Sequence, residues 1–151
     1  MGAGRLAASR PGYRCVMKTK STLTLEDTRA IAAAAEAEAA KNGWAVTLAI
    51  VDDGGHLLWL QRLDGAAPIS AEIAPAKART AALGRRESKV YEDMINQGRV
   101  SFLSAPVLHG MLEGGVPIVV EGQVVGAVGV SGVKSTEDAQ IARAGIAALG
   151  L

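Results

Sequence analysis

Residues 44–52, WAVTLAIVD, are apolar or β-branched at nearly every position. A short run of that kind, without polar alternation, suits a strand covered on both faces. Asp53-Gly54-Gly55 follows, and a tight hairpin turn is predicted, because glycine reaches positive φ without steric cost. Residues 56–63, HLLWLQRL, form the return strand, and Asp64-Gly65 closes it. A second hairpin is predicted from Pro117–Glu121 and Gln123–Ser131 around a Glu121-Gly122 turn. Within it Gly126, Gly129 and Gly132 recur every third residue, a spacing that stays on neither strand face. Such glycines signal a bulge, strong twist or the close approach of another backbone.

Helical patterns separate the hairpins. Thr24 fits an N-cap before acids in a first turn, an Ala-rich run reaches Lys41, and Asn42-Gly43 supplies a left-handed stop. This predicts a helix over 25–41. Ser70 caps a second helix through Leu83, with Pro75 making either an irregular first turn or a later start, and Gly84 as its end. Ser88 caps a short helix over 89–97. Residues 99–116 read as loop, with a short piece around 106–111. Ser135 and Asp138 suggest a capping box for a last helix over 136–149. The order α-β-β-α-α-β-β-α implies an α/β (α+β) fold, a mainly antiparallel sheet packed by helices, and disfavours a Rossmann sheet. Two hairpins side by side in that sheet would present their connecting segments to one shared cavity, joining His56 to residues 113–117.

Composition narrows the classes. The chain has 151 residues, 49% hydrophobic and 21% charged, enough for one domain with a real core. Residues 1–20 hold Arg5, Arg10, Arg14, Lys18 and Lys20 and no acid, which leaves the remainder at −4 out of a total of +1. An acidic body argues against nucleic acid, whose binding needs clustered cations. No apolar stretch reaches the roughly 18 residues of a membrane span. Cys15 stands alone, so no internal disulfide can form. The first sixteen residues lack the apolar segment of a secretion signal, and Met17 fits a natural start. Residues 1–19 are expected to be a disordered or non-native extension, residues 20–151 the domain, and the location cytoplasmic.

Familiar chemical motifs fail on single positions. GVSGVKS at 129–135 has Val133 where a phosphate loop needs glycine before its lysine. The same valine spoils a nucleophile elbow. Two histidines cannot alone build a His-rich metal site. His56, at the hairpin mouth, is either a locally hydrogen-bonded turn residue, an axial iron ligand or an acid/base group. His109, in APVLHGMLEGGVP, is either a ligand or a loop histidine. Lys77 either reaches a pocket anion or is a solvated helix charge. Asp52, Asp53 and Arg62 flank the hairpin and can pair across it. Glu113-Gly114-Gly115 is either a turn or a nest whose N–H groups receive a carboxylate.

Four ordered blocks resemble the GlcG/HbpS family, which includes the C-terminal domain of PduO-type proteins. They are VDDGGHLLWLQRLDGA at 51–66, KARTAA at 77–82, GGVPIVVEGQVVGAVGVSG at 114–132 and EDAQIARAG at 137–145. The resemblance implies a profilin-like fold with a four- to five-stranded sheet, and self-association as a homo-oligomer, dimer or larger. It implies haem as a cofactor in some members. His56, Lys77, Thr80, Gly114 and Gly115 match the family's blocks; His56 or His109 is the candidate iron ligand. Three functions compete: a small-molecule or haem-binding protein; an enzyme or accessory protein for a small organic acid, diol or aromatic compound; and an assembly module. In the second, Arg62, Lys77 and the 113–117 loop would hold a carboxylate or diol, with His109 or Glu113 as acid/base.

Overall fold

A computed structural model describes residues 12 and 14–151. The expected extension at 1–19 therefore falls mostly outside the described residues. The first helix begins as its cap dictates. Thr24 Oγ1 accepts the Asp27 N–H at 3.2 Å, and Asp27 Oδ2 accepts the Thr24 N–H at 2.7 Å. The Thr24 N–H foremost, and the Thr24 hydroxyl donating to the same Oδ2 at 2.8 Å, hold the Asp27 carboxyl below its ordinary value. Helix α1 runs Leu25–Asn42 and stops where Gly43 turns left-handed at φ 69°.

The first hairpin joins β1 (Thr47–Asp52) to β2 (Leu57–Arg62). Asp52 organises its turn: Oδ1 accepts the N–H groups of Gly54 and His56, both at 2.9 Å, and Gly55 takes φ 77°. Helix α2 spans Ser70–Gly84 and runs through Pro75. Its first turn is irregular, with Ala71 and Glu72 donating to carbonyls only three residues back. Ser70 does not cap it: its Oγ donates to Ala67 O and lies 2.7 Å from Thr47 Oγ1. Gly84 is its last residue, as expected, and a Cβ there would lie 2.2 Å from the Tyr91 hydroxyl. The left-handed stop falls on Arg85, at φ 54°. That conformation costs a side-chain-bearing residue about 1–2 kcal/mol.

Helix α3 (Ser88–Asn96) is followed by a 3-10 helix at Val100–Ser104. Around 106–111, where a short piece is expected, there is only a turn at 106–107, and the helical piece falls earlier, at Val100–Ser104. Strand β3 (Gly115–Val120) turns at Glu121-Gly122 into β4 (Gln123–Ser131), and α4 closes the chain at Ser135–Ala147. The expected capping box is displaced. Lys134 is the N-cap residue, its N–H donates to Glu137 Oε2 at 3.1 Å, and Asp138 turns inward.

The four strands are antiparallel in the order β2-β1-β4-β3, so the hairpins do lie side by side. Pro117 lacks a ladder N–H and sits on the edge strand β3, where that is tolerated. Helices α1 and α4 cover one face through Ile31, Ala35 and Ile141 on Leu48, Ile50, Val128 and Val130. Helix α2 covers the other through Ala78 and Ala81 on Val51 and Ala127. Alanines and glycines let that layer sit close. A Cβ at Gly129 would lie 2.1 Å from Ala74 O on α2, whereas one at Gly126 would meet Val51 O and one at Gly132 Ala45 O. The every-third spacing thus serves three different neighbours. Among the described residues no helix is long and apolar enough to cross a membrane.

Candidate functional site

The register separates the two ends of the sheet. Asp52 pairs with Gly126, which pairs with Ile118; Ala49 pairs with Gly129, which pairs with Gly115. His56 lies beyond the Asp52 end, beside the Glu121-Gly122 turn. Glu113, Gly114 and Gly115 enter β3 at the other end. Within one chain the expected shared cavity therefore does not form: antiparallel strands put both turns at one end and the entry to β3 at the other.

At the turn end His56 folds back on its own hairpin. Its side chain is 78% exposed and Nδ1 lies 3.3 Å from Asp52 Oδ1. Asp53 pairs with Lys20 instead of Arg62. Arg62, opposite Thr47 at the far end of β2, is too distant along the strand to meet either aspartate.

The other end is built around a buried ion pair. Lys77 Nζ donates to Asp138 Oδ2 and to Val130 O, both at 2.9 Å, with the two side chains only 4% and 2% exposed. Burial pushes the Asp138 carboxyl up, against the lowering effects of the Lys77 ammonium and the Val133 N–H. The ammonium is held inside the fold. One turn further along α2, Thr80 Oγ1 is buried with no hydrogen-bond partner among the described residues. Gly114 passes directly over Lys77: a Cβ there would lie 2.8 Å from Nζ, and one at Gly115 would lie 2.2 Å from Lys77 O.

The loop entering β3 is fastened by side chains of α3. Ser88 Oγ accepts the Gly115 N–H at 2.8 Å and donates to Leu112 O. Glu92 Oε2 accepts the Glu113 N–H at 2.5 Å. The nest read from Glu113-Gly114-Gly115 thus receives a carboxylate from the chain itself. Between α3, the 3-10 helix and this loop lies a groove of about 270 Å³. Ile95, Leu103, Met111 and Leu112 supply apolar walls, and Glu92, Asn96 and His109 the polar groups. The same loop holds Val107 at φ 59°, a strained conformation for a β-branched residue.

The family model for the haem degrading protein HbpS-like matches residues 23–147. The chain belongs to the HbpS-like family. It is 60% identical to protein GlcG of Escherichia coli (strain K12) over 115 residues, covering 76% of this chain and 85% of that one. Its fold superposes on a double mutant of HbpS from Streptomyces reticuli with TM-score 0.80 and 34% identity, covering 99% and 100% of the two chains. It superposes on a PduOC:haem complex with TM-score 0.75 and 28% identity, covering 85% and 95%.

In this HbpS-like chain the candidate residues fall into three places. Lys77, Gly114 and Gly115 meet in the interior, with Thr80 one helical turn on; His109 lines the groove, and Glu113 only donates its N–H to the lining residue Glu92; His56 and Arg62 stand apart on the first hairpin. Ser88 and Asp138 read in the sequence as helix caps, and Glu92 carries no motif at all. A half-buried acid on the inward side of a short helix, facing a glycine loop, is the one signal that could have singled out Glu92.

Proposed function

We propose that this chain binds a small apolar ligand, haem foremost, in the groove between α3 and the loop entering β3. The observation that carries the reading is the placement of His109 among Ile95, Leu103, Met111 and Leu112. A neutral imidazole can coordinate iron while these apolar walls meet one face of the macrocycle, so the residues fit part of the group and leave the rest to a second copy. Similarity to the PduOC:haem complex supports the same choice. His109 would hold the iron; Glu92 and Ser88 would hold the loop that carries it. Bound haem would supply a redox-active iron centre.

Self-association belongs to this reading. The groove of about 270 Å³ is smaller than the ~300–1,000 Å³ usual for ligand pockets. Leu103, Val107 and Leu112 are exposed around it, and β2 is an open edge with Leu57, Leu58 and Leu60 exposed. A second copy would complete the walls and cover apolar surface that is costly to leave in water. Titration with hemin should give a saturable Soret change, and gel filtration a dimer or larger. A spectrum identical to that with an unrelated protein, or a monomer throughout, would refute the respective part.

A further inference from the structure

The turn end of the sheet carries a second cavity, remote from the groove. It is a cleft of about 570 Å³ between Asp53 of the first turn, Gly122 and Gln123 of the second, Arg85 after α2, and the segment Lys18–Lys20 before α1. Among the described residues three cations face it and one acid, Asp53, which already pairs with Lys20. That pairing, and more weakly Arg85, holds the Asp53 carboxyl below its ordinary value. Glu121 borders an adjoining pocket beyond Lys20. The lining keeps an excess of positive charge, with Thr19 and Gln123 as neutral hydrogen-bonding groups.

Arg85 adds an independent reason. Helices commonly end with glycine at the left-handed position. Here the strained position holds an arginine, while the adjacent Gly84 is used to admit Tyr91. The arrangement is poor for stability and sets a guanidinium at the rim of the cleft. A guanidinium forks onto two oxygens of a carboxylate or phosphate, and lysines add unoriented charge. We propose that this cleft binds a small polyanion, one bearing at least two negatively charged oxygens, through Arg85, Lys18 and Lys20, with Asp53 competing for Lys20 in the empty state.

The test is calorimetric titration of the full chain with inorganic pyrophosphate and, separately, citrate, in low-salt buffer free of both. Saturable binding of either supports the site, and the preferred probe shows whether phosphate or carboxylate oxygens are recognised. Arg85→Gly should raise Tm by about 2–4 °C, because it relieves the left-handed strain. It should also weaken binding about tenfold. Asp53→Asn should tighten binding several-fold by freeing Lys20. Absence of saturable heat with both probes, or unchanged affinity in Arg85→Gly, would overturn the proposal. None of these measurements involves hemin, so they fail or succeed separately from the groove.

Discussion

The two ends of the sheet are built on opposite principles. At the β3 entry, charge and backbone are buried together: Lys77, Asp138, Ser88 and Gly115 leave no slack, and the groove with His109 stands on that base. At the hairpin turns, charges stay in contact with water and pair at the surface, Asp52 with His56 and Asp53 with Lys20. Desolvated charges are costly to disturb, whereas exposed pairs are worth ~0–1 kcal/mol. The difference locates where mutation will damage the fold and where it will alter only the surface.

Breaking the buried end should give the largest effect. Lys77→Met leaves Asp138 charged and unpaired, at a cost of about 3–5 kcal/mol by denaturant unfolding. The loss should shrink in acid: the Asp138 pKa, raised by burial, rises further without the ammonium, and protonation then favours the folded state as pH falls through it. The double variant Lys77→Met/Asp138→Leu should recover most of the stability. Next, Gly115→Ala forces a Cβ within 2.2 Å of Lys77 O and should cost about 2–3 kcal/mol in the same assay. Ser88→Ala removes the tie to Gly115 and Leu112 and should cost about 1–2 kcal/mol, with faster amide exchange across 112–115. At the turn end, His56→Ala should stay within about 0.5 kcal/mol of the parent. The smallest change is acid fraying of α1. The lowered Asp27 carboxyl contributes stability above its ordinary value of 3.8, and this is lost as pH falls through the lower folded value. Exchange of the Asp27 and Thr28 amides should quicken there first.

Period and punctuation made most of the fold readable. The continuous apolar run at 47–52, the glycine turns, and Thr24 with Gly43 are local signals, and local physics honoured them. The roles of Asp138 and Ser88 are illegible in the sequence for the opposite reason. Each has the residue type and position of a cap, but its partner, Lys77 or Gly115, is distant in sequence. Register decided the site in the same way. His56 and His109 look equivalent along the chain, each beside a glycine turn, and only the pairing of β1 with β4 and β4 with β3 assigns them to different ends.

That assignment has one direct test. Purified parent, His109→Ala and His56→Ala proteins are titrated with hemin side by side, and the Soret change is fitted for affinity. A loss of about tenfold or more in His109→Ala, with His56→Ala matching the parent, is the predicted result. A loss in His56→Ala with His109→Ala unchanged would contradict it, moving the ligand to the hairpin turn.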